Sequence, residues 1–504
     1  MRASLQGLPP VNELHSLHPF TLIFDALAAM RVLAVPTLLL FTFSSGSFRS
    51  FVPLVIAAGL QIIIGSMRFA SMRYGIHGSQ LVIQEGILSR RVRTIPIRTI
   101  QNIFLKRNLL HRILGVCELR VETAGGGKAE ARLSVVAEED AQSLRRGILA
   151  RAEAGGALAG SADLGTAKEP EPTLLRRSGL GELFLAGATA NRAGALVLVL
   201  LGLLEFADEF GDKMKLWLEI AADYVLGQLG DDPVVLAAFA LLLLILLGWI
   251  VAIFLTLLRY YGFELRRTPD GRGLHRRQGL FTQFEGVLPR ERIQVLRVEA
   301  NPPQRLLSCA IVRAETAGSV QEKESAGSTT LCPLLWQREL GSFCRAIFED
   351  LDFSAIELQP VHRAALRRGF VRFLLGLGLL AILLSQIFEL QPWWLLGAAL
   401  LASGPLALLR YWAMGWALEG GFLISRGGIW NRKHWVVPVS RVQTLSIVQS
   451  PTQRVLRIAT LRVDTAGALR FQSARILDLP LSTARRLYEE LARGAALGAA
   501  HDGL

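Results

Sequence analysis

The sequence predicts an α+β multidomain membrane protein, in which three transmembrane helix hairpins alternate with three bent-sheet or barrel domains, each closed by a C-terminal helix. Three observations support this fold class: one stretch recurs three times, long apolar segments precede each copy, and alternating apolar and polar residues surround it. The 504 residues are 51% hydrophobic with a mean hydropathy of +0.38. This composition is too apolar for an ordinary soluble protein and indicates a membrane protein.

A repeated stretch organises the chain. It begins at residues 93, 286 and 436 and keeps one spacing: Pro, then Gln five residues later, Arg eleven further on, and Thr-Ala-Gly after eleven more. The residues that define the repeat are Pro96, Gln101, Arg112, Thr123 and Gly125, then Pro289, Gln294, Arg305, Thr316 and Gly318, and finally Pro438, Gln443, Arg454, Thr465 and Gly467. Copies without gaps indicate internal repetition, and equal spacing predicts equal strand register in all three.

The repeated polar residues allow two interpretations. Each arginine could bind a phosphate or lipid headgroup, because a guanidinium recognises phosphate through two hydrogen bonds. Alternatively, each arginine bonds loop carbonyls or a carboxylate, each glutamine satisfies backbone groups at a strand end, and each Thr-Ala-Gly forms a turn. We favour the structural interpretation, because a shared fold explains identical residues in three diverged copies better than three identical ligands do.

Apolar segments predict the helix hairpins, because a spanning helix needs roughly 20 apolar residues. The hairpins are predicted at residues 20–68, 183–258 and 370–412, with an acidic outer loop at 205–232 inside the second. Their helices are predicted at residues 22–43, 51–67, 183–204, 233–258, 370–388 and 390–409. The chain is therefore expected to cross the membrane six times.

Arginines near the ends of these segments predict the orientation. They cluster on the side of the repeated domains, at Arg68, Arg73, Arg176, Arg177, Arg259, Arg363, Arg367, Arg368 and Arg410. The opposite side offers Arg49, the acidic loop and Glu389. By the positive-inside rule, both termini and all three domains lie in the cytoplasm, and the protein is a multi-pass protein of the cell inner (plasma) membrane.

Period-two alternation and turn residues predict the sheet domains. In the first copy, two strand hairpins at residues 79–93 and 117–135 precede a helix at residues 137–152. The three domains are predicted at residues 74–153, 261–350 and 416–496, with a linker at 154–175 and with terminal helices at 334–348 and 482–493 in the second and third. Strands followed by one helix indicate an α+β domain.

The first domain also opens with a recognisable pattern. Gly86, Ile87 and Arg90 come before the Pro-to-Gln core and the closing Arg and Thr-Ala-Gly. This pattern resembles the bacterial pleckstrin-homology-like (PH-like) domain, and its alternation with paired helices resembles membrane proteins of the YdbT/YdbS type. The resemblance implies a seven-stranded, strongly bent sheet closed at one end by a C-terminal helix. The second and third copies depart from the first at Gly115, where Ser308 and Arg457 stand instead.

The residues give little support for catalysis. The sequence has no dinucleotide-binding, Walker, nucleophile-elbow or metalloprotease motif, and its eight histidines lack ligand spacing. Its cysteines form no CxxC pair and are expected to be buried reduced thiols: Cys117, Cys309, Cys332 and Cys344. We therefore expect no enzyme activity, cofactor or metal, and no nucleic-acid partner.

Basic residues in the first hairpin of each domain are candidates for contact with lipid. They are Arg90, Arg91 and Arg93, Arg276 and Arg277, and Arg432 and Lys433, which we place directly after the turn glycine of each copy. Short tethers hold each domain near the cytoplasmic leaflet, whose anionic headgroups attract basic residues. The alternative is a solvated face that keeps the domain soluble, with function at an exposed sheet edge that takes a partner strand.

Two functional hypotheses follow. The first is a non-enzymatic scaffold whose tandem PH-like domains bind lipid or protein partners, in envelope stress or membrane homeostasis, with homo-oligomerisation left open. The second is a transporter or channel component built from the six helices. For the second, Asp25, Arg31 and Arg192 would be the intramembrane polar groups.

Overall fold

The computed structural model describes most of the chain in two compact units. The described residues are 15–27, 52–86, 91–123, 131–154, 173–190, 233–316, 330–353, 355–389, 391–465 and 474–502. The first unit comprises residues 1–173, 266–277 and 281–289, and the second comprises residues 174–265, 278–280 and 290–504.

The first copy contains seven strands, and its last helix follows its last strand. Strand β1 comes before helix α1, which leads into strands β2, β3 and β4. A short helix, α2, lies between β5 and β6. The elements are β1 (His15–Ser16), α1 (Val52–Ser71), β2 (Arg73–His77), β3 (Gln80–Glu85), β4 (Arg91–Pro96), β5 (Ile100–Asn108), α2 (Leu109–Ile113), β6 (Val116–Thr123), β7 (Ala131–Ala137) and α3 (Glu138–Ala154).

The second copy repeats this order. Its elements are β8 (Thr173–Arg177), α4 (Leu180–Ala188), α5 (Pro233–Tyr260), β9 (Glu264–Arg267), β10 (Gly273–Gln278), β11 (Thr282–Pro289), β12 (Ile293–Ala300), α6 (Pro302–Leu306), β13 (Cys309–Thr316), β14 (Thr330–Trp336) and α7 (Gln337–Ile347).

The third copy has six strands and a single bridge between Gln359 and Trp416 in place of the seventh. Its elements are α8 (Ala364–Phe388), α9 (Pro392–Ala413), β15 (Gly415–Glu419), β16 (Phe422–Gly427), β17 (Arg432–Pro438), β18 (Val442–Val448), α10 (Pro451–Val455), β19 (Ile458–Thr465), β20 (Ala474–Pro480) and α11 (Leu481–Asp502). All three copies therefore share the order of strands and then helix.

The sheets run from one copy into the next. In the first unit, β1-β2-β3-β4 form one sheet, and a second runs β7-β6-β5-β11-β10. In the second unit, one sheet runs β14-β13-β12-β17-β16-β15 and another contains β18-β19-β20. One strand of each copy, β5 or β12, is thus hydrogen-bonded to one strand of the following copy, β11 or β17. We call the β5–β11 ladder the first junction and the β12–β17 ladder the second junction.

Both junctions have the same antiparallel register. Gln283 lies opposite Arg107 at the first junction, and Arg432 lies opposite Ala300 at the second. Gln283 and Arg432 each stand six residues before the repeated proline, while Arg107 and Ala300 each stand eleven residues after it. The repeat spacing therefore fixes how neighbouring copies pair as well as how each copy folds.

One apolar core joins the two sheets of a copy to its last helix. In the first copy, Leu81 of β3, Leu105 of β5 and Leu119 of β6 are buried in the same cluster as Ile148 of α3. The third copy buries an equivalent set, which includes Leu423, Leu461, Leu487 and Leu491. Burying a leucine side chain contributes about 1.5–3 kcal/mol, so the helix is held mainly by this core.

The turn that follows the short helix has the same conformation in every copy. Gly115, Ser308 and Arg457 occupy equivalent positions and have φ of 64°, 51° and 52°. Only glycine adopts this left-handed conformation without steric cost. The backbone of the turn is therefore kept in the second and third copies although the glycine is not.

Three helices among the described residues are long and apolar enough to cross a membrane, at residues 241–260, 364–387 and 392–413. The last two belong to α8 and α9 and occupy the third predicted hairpin. Helix α1 covers the second helix predicted for the first hairpin. The remainder of the first two hairpins, at residues 28–51 and 191–232 with the acidic loop, lies outside the described residues, as does most of the predicted linker.

Predicted helix boundaries are wrong in two places. The helix predicted at residues 183–204 is α4, which begins at Leu180 and ends at Ala188. Residues 334–348 were expected to be helical, but Leu334 to Trp336 belong to β14, and α7 begins at Gln337. Strand β14 is buried along almost its whole length. A strand buried on both faces shows a continuous apolar run rather than alternation, so its sequence cannot be told from a buried helix by periodicity.

Candidate functional site

The repeated proline ends the equivalent strand in each copy. Pro96, Pro289 and Pro438 are the last residues of β4, β11 and β17, and each is followed by a three-residue 3-10 turn. Proline fixes φ near −65° and donates no hydrogen bond. It therefore stops the ladder and turns the chain from the first sheet of the copy toward the second.

The repeated glutamine marks a β-bulge. The register shifts between Ile100 and Asn102, between Ile293 and Val295, and between Val442 and Thr444. The residue left out of the pairing at these shifts is Gln101, Gln294 or Gln443, respectively. A bulge inserts one unpaired residue and increases the local twist of the strand. The glutamine thus occupies the position where each copy bends.

The repeated arginine lies on the short helix of each copy. Arg305 donates a hydrogen bond of 2.9 Å from Nη2 to the carbonyl oxygen of Ile429, in the turn between β16 and β17 of the following copy. Arg112 is exposed on α2. Arg454 is exposed on α10 and makes no side-chain hydrogen bond or ion pair with any described residue.

The repeated threonine ends the equivalent strand in each copy, as Thr123, Thr316 and Thr465 of β6, β13 and β19. The Ala-Gly pairs that follow, with Gly125, Gly318 and Gly467, lie outside the described residues. The predicted turn is therefore observed only up to its first residue.

The basic residues predicted to contact lipid do not occupy equivalent positions. Arg91 and Arg93 are exposed on β4, after Gly86, and Arg432 and Lys433 begin β17, after Gly428. Arg276 and Arg277 instead lie on β10, before Gly279, which corrects their predicted place. The position equivalent to Arg91 and Lys433 in the second copy is Phe284, counted from the repeated proline.

The surroundings of these basic residues also differ. Arg93 lies 3.7 Å from Glu85, Lys433 lies 3.7 Å from Glu299, and Arg276 is buried. Burial lowers the pKa of Arg432. Arg90 lies outside the described residues. Arg91, Arg93 and Arg277 are therefore the exposed members of the set.

Ionic side chains concentrate at the second junction. Glu299 is 2.7 Å from Arg297 and 3.6 Å from Arg313, and Arg297 also hydrogen-bonds Glu315 at 2.7 Å. The Arg297 guanidinium lies 5.0 Å from the centroid of the Trp435 ring, across the ladder. Burial raises the pKa of Glu315 despite these arginines. Paired and stacked in this way, the buried charges fix which strands meet.

The first junction contains a different ionic cluster. Glu285 on β11 is 3.1 Å from His275, 3.3 Å from Arg107 and 3.4 Å from Arg145. Arg107 also lies 3.0 Å from Glu138 at the start of α3. Sequence reasoning missed this cluster, because its members are separated by long stretches of chain and each is an ordinary polar residue of a strand or helix.

A small cavity lies in the second unit where α4 and α5 meet the second copy. Its volume is about 150 Å³, and its polar lining includes Tyr260, Glu299, Asn301, Gln304 and Arg313. Asn301 donates a hydrogen bond to the Thr189 carbonyl beside it. Ligand pockets usually measure about 300–1,000 Å³, so this cavity suits water rather than a lipid.

The four cysteines are buried. Burial raises the pKa of the Cys117, Cys332 and Cys344 thiols to about 12 and that of Cys309 to about 11. Thiols that remain protonated are poor nucleophiles. Within the described part of the chain, no group of three or more His, Cys, Asp or Glu side chains is placed to hold a metal.

Comparisons with known proteins agree with this repeated architecture. The model of the family "Bacterial PH domain" matches residues 28–152, 222–333 and 356–495, well over half of the chain. The UPF0699 transmembrane protein YdbT of Bacillus subtilis (strain 168) is 23% identical over 424 residues, covering 82% of this chain and 83% of that protein. No solved structure matches the chain significantly.

Proposed function

Because the chain belongs to the Bacterial PH domain family, we propose that it is a non-enzymatic scaffold of the cell inner membrane. Its tandem domains bind lipid or protein partners in membrane homeostasis or envelope stress. The observation that carries this proposal is that successive copies share sheets at two junctions of equal register. Each junction ties two neighbouring copies together through a shared sheet, which suits a scaffold.

The domains are held close to the apolar helices. A single residue separates each of two helices from its sheet: α1 ends at Ser71 and β2 begins at Arg73, and α9 ends at Ala413 and β15 begins at Gly415. Between Tyr260 and Glu264 the connection is only slightly longer. Tethers this short keep the first strand of every domain beside the membrane surface.

Six spans with both termini and all three domains in the cytoplasm form part of this proposal. Its basis is the excess of arginine on the domain side of the apolar segments. Since the four natural cysteines are buried, single cysteines introduced elsewhere can be labelled selectively. Asp212→Cys should react with a membrane-impermeant maleimide from outside the cell, and Arg91→Cys should react only after the membrane is opened. The reverse pattern would refute this orientation.

The helix pair α8–α9 gives no sign of a polar path. Ala399, Ser403 and Ala407 are buried on α9, and small residues let helices in a membrane approach closely. The Ser403 hydroxyl donates to its own helix, at the Ala399 carbonyl. Of the groups proposed for transport, Arg31 and Arg192 lie outside the described residues. This pair therefore favours the scaffold over a transporter or channel component.

We include anionic lipid among the partners. Arg91 and Arg93 project from an exposed strand of the first domain, and Arg277 is exposed in the second. Each basic residue near an anionic leaflet gains about 1 kcal/mol, and several weak contacts on one chain reinforce each other. Arg93 and Lys433 each have a carboxylate partner at 3.7 Å, Glu85 and Glu299 respectively, and contribute less than Arg91.

The test of lipid contact uses the full chain in nanodiscs, because β5 pairs with β11 and an isolated first domain would lack that neighbour. Hydrogen exchange of the β4 amides should slow in anionic nanodiscs relative to neutral ones. Arg91→Gln with Arg93→Gln should abolish the difference. The matched control is Arg485→Gln with Arg486→Gln, which removes two exposed arginines from α11. If the β4 amides of the unmutated protein exchange equally fast in anionic and neutral nanodiscs, lipid contact by this strand is refuted. Protein partners then remain as the alternative.

A further inference from the structure

The two internal junctions leave one strand without a neighbour at each end of the series. In the described part of the chain, β4 of the first copy is the last strand of its sheet, and β18 of the third copy is the last strand of its own. Strand β4 is equivalent to β11 and β17, and β18 is equivalent to β5 and β12. Among the described strands, one edge of the β4 kind and one edge of the β18 kind are therefore left unpaired, and these are the two kinds of strand that the junctions join.

The β18 edge lacks the protection that natural edge strands carry. Residues 442–449 read VQTLSIVQ, with no charged residue and no proline. Its counterpart β12 is buried along nearly its whole length, whereas β18 is mostly half-buried or exposed. Lysines, prolines and inward charges usually blunt such edges, and an uncharged open edge tends to pair with another strand.

The β4 edge complements it. Arg91, Arg93 and Thr94 are exposed on this strand, and charged residues on an edge oppose pairing between two identical edges. Opposite β18, the same arginines would meet uncharged side chains. The basic edge thus excludes β4–β4 association and leaves β4–β18 pairing open.

The repeated arginine provides independent support. Arg305 bonds the Ile429 carbonyl of the following copy and so spans the second junction. Arg454 has the same place in the third copy, where β18 pairs with no following copy among the described residues, and its side chain makes no bond with any described residue. A residue that spans a junction is therefore present next to an edge that has no junction within the chain.

We propose that the protein assembles head to tail with further copies of itself, β18 of one molecule pairing with β4 of the next. Applying the internal register places Val448 opposite Arg91, Ser446 opposite Arg93 and Leu445 opposite Thr94. Arg454 then occupies at this third junction the position that Arg305 occupies at the second.

Such an interface joins two different surfaces. A heterologous contact of this kind forms a ring if its rotation closes and an open filament if it does not. Since apolar helices precede each copy, either assembly extends along the membrane. Partner proteins would then meet a series of domains longer than the three in one chain.

The first experiment is site-directed disulfide formation in native membranes. One molecule carries Ser446→Cys and one epitope tag, and another carries Arg93→Cys and a second tag. Opposite residues in antiparallel strands have Cβ atoms about 4.5–5.5 Å apart, so oxidation should yield a dimer bearing both tags. The control replaces Arg93→Cys with His77→Cys, which is exposed at the far end of β2. Molecules that carry both Ser446→Cys and Arg93→Cys should give a ladder of dimers, trimers and longer products.

The second experiment changes charge at the same pair. Ser446→Lys places a like charge opposite Arg93 and should weaken energy transfer between labelled molecules in vesicles roughly fivefold. Adding Arg93→Glu should restore the transfer. Crosslinks formed only within one molecule, equal yields with His77→Cys, or absence of rescue by Arg93→Glu would each overturn head-to-tail assembly.

Discussion

His275 and Glu285 are hydrogen-bonded at the first junction, where Nε2 of the imidazole lies 3.1 Å from Oε1 of the carboxylate. Arg107 and Arg145 approach the same carboxylate at 3.3 and 3.4 Å. This arrangement lowers the pKa of Glu285 from 4.5 to about 2, and the hydrogen bond from His275 is the largest cause. The junction therefore depends on a carboxylate that stays ionised in moderate acid.

We expect the first junction to weaken in acid. A carboxyl group whose pKa is lower in the folded protein stabilises it above the unfolded pKa, and this contribution is lost as pH falls through the folded pKa. For Glu285 the loss spans the interval from 4.5 down to about 2. Glu285→Gln should therefore lower the free energy of unfolding by about 1–3 kcal/mol at pH 7 and have little effect near pH 2.

Hydrogen exchange of the β5 and β11 amides in detergent, measured between pH 7 and pH 3, checks this expectation. Glu349→Gln is the control, because the Glu349 side chain is 65% exposed and its ion pair with Arg290 lies at the surface. A Glu285→Gln effect of constant size across the pH range would contradict the role assigned to the ionised carboxylate.

Gly286 should tolerate no larger residue. A Cβ atom at this position would lie 2.4 Å from Cδ1 of Phe104, its partner across the first junction. Gly286→Ala should therefore destabilise the junction by about 1–3 kcal/mol through overpacking. Thermal unfolding in detergent measures the loss, and Phe104→Ala in the same chain should recover part of it. Gly427→Ala, where nothing lies within 4 Å, is the matched control.

The sequence predicted much of each domain but not how the domains join. The Pro-to-Gln spacing correctly indicated equal elements, because it sets a strand end and a bulge in every copy. It could not show that β5 pairs with β11, since Phe104 and Gly286 are far apart in sequence and strand alternation does not specify a partner. Pairing of strands distant in the chain depends on side-chain fit across the ladder.

The functional residues were harder to predict for a similar reason. Arg276 and Arg277 were placed after the turn glycine because they form a basic pair, yet Gly279 follows them. The strand position decides which face and which neighbour a side chain meets, and a shift to the preceding strand buries Arg276. Conversely, the ionic cluster around Glu299 contains residues from three strands and leaves no local signal.

Glycine should stabilise the fold at the positions of Ser308 and Arg457, which are equivalent to Gly115 of the first copy. Ser308 and Arg457 have φ of 51° and 52°, the conformation of Gly115 in the first copy. A non-glycine residue there costs about 1–2 kcal/mol, although glycine also raises the entropy of the unfolded chain. Ser308→Gly and Arg457→Gly should each raise the free energy of unfolding by a net of about 0.5–1 kcal/mol, and the melting temperature should rise with it. Gly115→Ala should lower it, and a fall with Ser308→Gly would contradict the expectation.

The last prediction separates the two roles proposed for the repeated arginine. Arg305 bonds the Ile429 carbonyl inside the chain, so Arg305→Ala should remove about 1 kcal/mol of stability from the second junction. The amides of β17 should then exchange faster, whether or not the molecules are associated. Arg305→Lys should recover little, because lysine cannot reproduce the planar guanidinium geometry.

Arg454 offers the matched comparison on the equivalent helix. Its side chain makes no hydrogen bond or ion pair with any described residue of its own chain, so Arg454→Ala should leave the melting temperature of the dilute, detergent-solubilised protein unchanged. In membranes the same variant should reduce the Ser446-to-Arg93 crosslink, because the side chain at the third junction is lost. Loss of stability in dilute detergent would mean that Arg454 serves its own domain. A crosslink yield unaffected by Arg454→Ala would remove this arginine from the assembly, since a junction built like the second one should need its arginine.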